Sequence, residues 1–411
     1  MKRISIFGIG RVGLPLALVF ADKGCKVIGM DIDKEKLEII KQGKMPFLER
    51  GAEELLKKHI NNNFLITSSV EESVKNSEYI ILTLGTPVDE HMNPIFSQIE
   101  GAINEILPHL KQGQTIILRS TVSPETTEYL KGYIEKKTEF HIGKNLYLAF
   151  CPERIAEGYS IEEIPEIPQL IGALDNESIR KAEELFKIIT EKTIKSDARS
   201  VEIAKLYCNM YRYIDFAIAN EFMMIAQSFD RDIYEIVNLV NKDYKRSGLK
   251  QPGLAGGPCL YKDGFFLINK TPYNELISTA WKINETVPAY LIDRISKKRN
   301  IKNAKVVILG LAFKKNIDDP RNSLSYKAKK IFKNEGAEVY THDPYIEPED
   351  LDKKLKDADI VMLTTNHDYY KRELDLDKIK ALAKEDCIIC DIWNIFGEGI
   401  LFRIKKIKEV L

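Results

Sequence analysis

Residues 3–23 read RISIFGIGRVGLPLALVFADK. A short apolar run, 4–7, has the length of a buried β-strand, and the stretch 14–23 has the apolar spacing of a helix. Between them Gly8, Gly10 and Gly13 form G-x-G-x-x-G. The first glycine permits a tight turn, the second lets the backbone approach a pyrophosphate, and the third lets helix and strand pack closely. The helix start then offers unpaired amides and the positive end of its dipole to phosphate. Arg11 and Val12 lie inside this turn and are counted with the cofactor contacts, although Arg11 meets a phosphate or is merely solvated. Asp31 follows the next apolar run, 27–30. A carboxylate there accepts hydrogen bonds from ribose hydroxyls and repels a 2′-phosphate, which favours NAD over NADP. Asp33 is the alternative carboxylate. A glycine-rich turn with no cofactor is the plain structural reading, and the flanking strand, helix and acid weigh against it.

Working outward, the runs 79–84, 115–119 and 146–150 read as further buried strands, with helical stretches such as 35–42 between them. This alternation predicts a doubly wound parallel sheet. Ligands lie beyond the carboxyl ends of such strands, which brings in Thr86, Ser120 and Thr121; ordinary turn chemistry is their other reading. From about residue 198 the pattern changes. Residues 201–230 contain no proline or glycine and predict a long helix, with a second at 233–241 and more helix over 274–299. A glycine- and proline-rich loop, 248–258, interrupts them. At 305 a strand-turn pattern restarts with KVVILGLAFK, followed by strand candidates at 338–342, 360–364 and 387–392. The expected class is α/β, with two Rossmann-like doubly wound parallel-sheet domains joined by a long helix and a helical connector. The domains expected are 1–197 as a dinucleotide-binding domain, 198–300 as a helical connector and 301–411 as a second, nucleotide-like domain. The halves are alike in architecture, without a strict repeat in sequence.

The 411 residues are ample for two or three cores, and 61 basic residues balance 61 acidic ones. No general affinity for nucleic acid or anionic membrane follows from that balance. No run of 18 apolar residues occurs, so no membrane span is expected. The six cysteines are scattered through a large chain whose first residues read as a strand rather than a signal peptide. Free thiols and a cytoplasmic location are expected. Cys387 and Cys390 form C-x-x-C inside a strand candidate, where they point to opposite faces. No metal site is expected.

Residues 252–263 read PGLAGGPCLYKD. Glycines crowd Cys259, leaving room for a ligand and allowing unusual backbone angles. A buried, inert thiol is the commoner fate of a free cysteine.

The chain resembles the UDP-sugar and GDP-sugar 6-dehydrogenases over nearly its whole length. The resemblance rests on GIGRVGLPLA at 8–17, STVSPETT at 120–127, CPERIAEG at 151–158, EIAKLYCNMYRYIDFAIANE at 202–221, GGPCLYKD at 256–263 and GLAFKKNIDDPRNS at 310–323. It implies a four-electron oxidation at C6, with Cys259 holding a thiohemiacetal and then a thioester. It implies that Lys205 and Asn209, four apart on one helix, stabilise charge on the sugar oxygen, and that Asp263 orients Lys205 and a water. Thr121 and Glu157 resemble the water-holding pair, with Glu153 nearby and Arg154 beside it. Gly256, Lys314 and Arg321 fall in the substrate motifs, the last two toward the diphosphate. Arg246 stands near where relatives place an arginine on the sugar nucleotide, in its own subunit or the partner's. The long helix resembles the family's dimer core, so a homodimer, or a dimer of such dimers, is expected.

Leu254–Ala255 before the paired glycines and Pro258 before Cys259 depart from the UDP-glucose pattern. They resemble the branch acting on UDP-N-acetylhexosamines, and Tyr261–Lys262–Asp263 resembles its archaeal version. UDP-N-acetyl-D-mannosamine is the expected substrate, followed by UDP-N-acetylglucosamine, then UDP-glucose and GDP-mannose. A two-electron hydroxyacid dehydrogenase and a non-catalytic nucleotide-sugar sensor are the competing classes. The first leaves Cys259 and the second α/β half without a use, and the second leaves Cys259, Lys205 and Asp263 together without one.

Overall fold

The computed structural model describes residues 1–246, 248–268, 271–397 and, for the backbone alone, 402–404. Two compact units divide the chain: Met1–Cys208 with Phe265–Thr271, and Asn209–Gly264 with Pro272–Leu411.

The first unit is built on eight strands: β1 (Arg3–Phe7), β2 (Lys26–Met30), β3 (Phe64–Thr67), β4 (Tyr79–Leu82), β5 (Thr115–Leu118), β6 (Tyr147–Phe150), β7 (Gln169–Ala173) and β8 (Thr193–Asp197). Their order is β3-β2-β1-β4-β5-β6-β7-β8. The first six reproduce the 3-2-1-4-5-6 order of dinucleotide-binding sheets, whose switch point lies between β1 and β4. Ile4 pairs with Val27 on one side and Tyr79 on the other, both in parallel. Every residue of β4 and β5 is buried, as expected for strands covered on both faces. Ile6, Ile81 and Ile117 enter one apolar cluster, while Phe7, Ile80 and Ile116 enter the cluster on the opposite face. The sheet is not wholly parallel, because β6 and β7 run antiparallel.

The second unit holds β9 (Lys305–Leu309), β10 (Glu338–His342), β11 (Ile360–Leu363), β12 (Ile388–Asp391) and β13 (Phe402–Ile404), ordered β10-β9-β11-β12-β13. This is the 2-1-3-4-5 doubly wound order, with its switch point between β9 and β11. Its last pair, β12 and β13, is antiparallel. Cys387 and Cys390 are buried in different clusters, on the two faces of the sheet, as the strand period requires. All six cysteines are free thiols.

The long helix spans Ala198–Ser228, three residues earlier than the apolar spacing predicts, because it follows directly on β8. The Asp197 carboxylate accepts from Ser200 N at 2.9 Å and starts it there. The helix Leu260–Ile268, not anticipated from sequence, begins immediately after Cys259. Glu275–Ser296 is a further long helix, in the second unit. Among the described residues no helix is long and apolar enough to cross a membrane.

Candidate functional site

In the first unit Gly8 has φ +91° and donates its amide to Met30 O at 2.8 Å. A side chain at Gly8 would meet Thr83 O at 2.8 Å, and one at Gly13 would collide with Gly8 O. Gly10, by contrast, has nothing within 4 Å of where a Cβ would stand, which leaves a ligand-sized approach to the backbone. The helix α1 (Gly13–Asp22) carries no side-chain cap at its N-terminus. These features fit a dinucleotide pyrophosphate. Thr83, which sequence reasoning passed over, locks the turn by donating its hydroxyl to Phe7 O at 2.9 Å and Gly8 O at 2.6 Å.

Asp31 is buried at the end of β2, where its carboxylate accepts from Asp33 N at 3.0 Å and from the Lys36 ammonium at 2.9 Å. The Asp33 carboxylate is occupied as the N-cap of helix α2 (Lys34–Lys41), so Asp31 is the stronger ribose candidate of the two. The Arg11 guanidinium lies over the Phe47 ring at 5.0 Å. Val12 precedes α1 directly, and half-buried Thr86 lies beyond β4. Ser120 donates to Leu84 O at 2.6 Å, with half-buried Thr121 beside it beyond β5.

The segment after β6 is held from within. Glu153 pairs with Arg119 and accepts from Arg154 N at 2.6 Å and Ile155 N at 2.7 Å, while the Arg154 guanidinium donates to Pro168 O. Half-buried Glu157 adjoins Gly158, whose amide donates to Glu49 at 3.0 Å. Cys151 is fully buried, and burial pushes its thiol well above the usual range, so it is inert. Lys205 is a buried lysine of the long helix.

In the second unit Asn209, one turn further along that helix, donates to the Asp263 carboxylate at 2.6 Å. Lys262 donates to the other Asp263 oxygen at 3.1 Å, and Asp263 is fully buried. Cys259 is exposed, and its carbonyl accepts the first helical amides, from Lys262 at 3.2 Å and Asp263 at 3.0 Å. Its thiol-bearing residue therefore stands at a helix N-terminus, which favours negative charge. Gly264 lets this helix lie close on the long one, since a Cβ there would meet Met210 Sδ at 2.8 Å.

The loop before Cys259 is joined to the 310–323 loop. Gly257 donates to Asn322 O at 3.0 Å, and a Cβ on Gly256 would meet the same oxygen at 2.7 Å. Half-buried Lys314 and exposed Arg321 ride on that second loop, so the structure draws the glycine loop and the two phosphate candidates together. Buried Asp319 holds Arg321 Nε at 2.9 Å. Arg246 is exposed, over the Tyr244 ring at 5.3 Å. Asn220, fully buried, brackets Gly253 by accepting from its N and donating to its O, each at 3.0 Å, and donates to Asn284 at 2.9 Å. A cavity of about 330 Å³ lies beside this loop, lined by Arg212, Phe216, Lys250, Gln251, Asn366 and Trp393 among others. Asn366 and Trp393 place it beyond the carboxyl ends of β11 and β12, the ligand-binding edge of such a sheet.

Residues 2–190 match the NAD binding domain of the UDP-glucose/GDP-mannose dehydrogenase family, residues 199–286 its central domain and residues 307–398 its UDP binding domain. The chain is 33% identical to the UDP-N-acetyl-D-mannosamine dehydrogenase of Methanocaldococcus jannaschii, over 97% of this chain and 94% of that one. The solved structure of the UDP-D-ManNAc dehydrogenase from Pyrococcus horikoshii is 31% identical, with TM-score 0.88 over 93% of each chain. That of the UDP-N-acetyl-mannosamine dehydrogenase from Staphylococcus aureus is 28% identical, with TM-score 0.86 over 96% of this chain and 95% of that one. A glycine turn made for NAD, a second sheet made for a nucleotide sugar and these matches from end to end agree: the chain belongs to the UDP-glucose/GDP-mannose dehydrogenase family, the NAD-dependent dehydrogenases of nucleotide sugars.

Proposed function

We propose that the chain oxidises the C6 hydroxyl of UDP-N-acetyl-D-mannosamine to the uronate in two steps, with Cys259 as the covalent nucleophile. One observation carries the reading. An exposed cysteine at a helix N-terminus adjoins Lys262 and the buried Asn209–Asp263 pair, on a loop tied to the one that bears Lys314 and Arg321.

NAD, when bound, accepts a hydride, and two per substrate account for the four electrons between alcohol and carboxylate. Lys205 and Asn209 stabilise negative charge on the C6 oxygen, a contribution that reaches several kcal/mol in a water-poor site. The Cys259 sulfur adds to the C6 aldehyde: the S–C bond forms, the carbonyl electron pair moves to oxygen, that oxygen takes up the proton the thiol gives up, and a thiohemiacetal results. C6 is then tetrahedral and carries a hydrogen that can leave, and the adduct cannot diffuse away. After the second oxidation, water held by Thr121 and Glu157 attacks the thioester and releases the thiolate and the uronate. Asp263 keeps Asn209 oriented. Lys314 and Arg321 bind the diphosphate, for which a guanidinium fork is suited. The cavity beside Phe216 and Trp393 takes the nucleoside. The mannosamine assignment is supported by the relatives' names and by buried Leu254 and Ala255.

Following NADH with UDP-N-acetylmannosamine, UDP-N-acetylglucosamine, UDP-glucose and GDP-mannose tests this directly. The first is expected to be fastest, with two NADH per uronate and no uronate from Cys259→Ser. One NADH with free aldehyde defeats the mechanism, and preference for UDP-glucose defeats the substrate.

The same reading includes a homodimer. Tyr207, Tyr211, Ile218, Phe222 and Ile225 are exposed on the long helix. At 100° per residue they fall within about 60° of one another, a single apolar stripe. A second copy of the chain covers such a stripe by a two-fold contact. Light scattering is expected to give a dimer and, for Phe222→Glu, a monomer.

A further inference from the structure

The second unit repeats the glycine turn of the first. Gly310, with φ +94°, donates its amide to His342 O at 2.8 Å, as Gly8 does to Met30 O. Thr364 donates its hydroxyl to Leu309 O at 3.1 Å and Gly310 O at 2.5 Å, as Thr83 does to Phe7 O and Gly8 O. Asp343 therefore occupies the position of Asp31, one residue beyond the second strand of its sheet. Its use is different. Asp343 Oδ2 accepts from two successive amides of the turn, Leu311 N at 2.6 Å and Ala312 N at 3.0 Å. Successive amides at such a turn are the cradle that elsewhere takes a phosphate oxygen. His367 Nε2 lies 2.9 Å from the same oxygen, and both side chains are fully buried. Asn316 N donates to His367 Nδ1 at 2.8 Å, so the ring proton is on Nε2 and points at Asp343. Asn316 is further fixed to Asp368, whose amide donates to its Oδ1 at 3.0 Å. Burial works against a charge on Asp343, but His367 and the two amides hold its carboxyl below the usual range.

We infer that Asp343 is an internal anion that fills the phosphate cradle of the second half. Through His367 and Asn316 it sets the shape of the loop presenting Lys314 and Arg321 to the substrate's diphosphate. The inference rests on the nucleotide-sugar reading above. Asp343 and His367 are positioning residues in this scheme: neither touches substrate, and the carboxylate that reads a ribose in one half closes the loop in the other. A dinucleotide then binds once per chain, in the first unit.

The test is calorimetric titration of the full chain with UDP and with NAD, together with KM and kcat for the nucleotide sugar. Asp343→Asn keeps the size but sets an N–H against a donor. UDP affinity is expected to fall, and the sugar-nucleotide KM to rise, by at least about tenfold, the cost of one buried donor left unpaired. The kcat and the NAD affinity are expected to stay within about twofold, as for a distant independent site. His367→Gln, which retains the carboxylate, is expected to weaken UDP by about threefold or more and decides the matter if Asp343→Asn does not fold. Unchanged UDP affinity in the folded variants, or a parallel loss of NAD affinity, overturns the inference. An unsubstituted protein that binds no UDP overturns the functional reading itself, and the inference with it.

Discussion

The two sheets of this chain begin alike and diverge at one oxygen atom. In both, a glycine near φ +90° follows the first strand, its amide meets the end of the second strand, and a threonine after the next strand ties the turn down. In the first half the helix starts at Gly13, five residues after the turn glycine, and has no side-chain cap. In the second half the helix Leu324–Asn334 starts only after a long loop, with Ser323 as its N-cap. Removing the helix from the turn leaves the Leu311 and Ala312 amides without a reason to be open, and Asp343 takes them. The residue two beyond the turn glycine records the same divergence. It is Gly10, with nothing within 4 Å of a would-be Cβ, in the first half, and Ala312, where a carboxylate already sits, in the second. A doubly wound sheet thus does not by itself bind a dinucleotide; an uncapped helix close behind the turn and a clear approach to the backbone are also needed.

The largest effect expected is one the halves share. Gly8→Ala and Gly310→Ala both impose a left-handed φ on a side chain and press it on backbone, at 2.8 Å from Thr83 O and 2.7 Å from Thr365 N respectively. Each is expected to cost about 4 kcal/mol of stability, measured by urea unfolding. Tolerance of alanine at Gly310 alone breaks the equivalence of the turns.

The next effect separates them. His342 replaces Met30 at the strand end, and burial, followed by the Lys354 charge, lowers its pKa to about 4, against Asp343 and Glu347, which favour protonation, with His367 again opposing it. The rings of Tyr369 and Tyr370 pack on it. Below pH 6.5 the unfolded chain takes up a proton that the folded one refuses until about pH 4, so stability is full above that window and falls as pH drops through it. The loss is expected to reach about 3 kcal/mol. Both tryptophans, Trp281 and Trp393, belong to the second unit, so their fluorescence in urea follows this half. His342→Met is expected to flatten the dependence; an unchanged slope would show that another group titrates.

How much of this was legible in the sequence follows from what each residue does locally. The buried strands β1, β4, β5, β9 and β11 announce themselves as apolar runs because both faces are covered. β8 does not, since Thr193–Asp197 is a mostly exposed edge strand with Lys195 and Asp197 in it. β7 was hidden by Gly172, which reads as a strand breaker but lets the long helix approach, with Val201 Cβ 2.8 Å from a would-be side chain. At the candidate site, Gly8, Gly13 and Asp31 lie in a motif whose spacing points to a dinucleotide, whereas Cys259 stands out through the family resemblance and not through its spacing. Thr83, Asn220 and Asp343 act on backbone from far along the chain, and no local pattern marks them. Asp343 meets residues 311, 312 and 367, a grouping that only the sheet order creates.

Gly10→Ala probes the open turn without touching the fold. Nothing lies within 4 Å of the added methyl, so stability is expected to hold while it blocks the dinucleotide's approach. NAD affinity is expected to fall by about 10- to 100-fold, with UDP affinity unchanged, in the same titrations. A stable protein with full NAD affinity would place the pyrophosphate elsewhere. Ala312→Gly is the reciprocal change, and it is expected to create no NAD site, because Asp343 and not the alanine methyl holds the Leu311 amide.

The smallest effect concerns the acid that the halves use differently. Asp31 shares its charge with Lys36 at 2.9 Å, whereas Asp343 is held by two amides and a histidine. Lys36→Met frees the Asp31 carboxylate for the ribose and removes the ammonium that offsets its charge. A partly exposed ion pair is worth about 1 kcal/mol or less, so NAD affinity is expected to change by no more than about fivefold. Discrimination is the sharper readout, because an unshared carboxylate repels a 2′-phosphate more strongly, and the preference for NAD over NADP is expected to rise. Should NADP instead bind more tightly in Lys36→Met, Asp31 is not the ribose acid. The first half would then resemble the second more closely than its open turn suggests, with the strand-end carboxylate serving the fold in both.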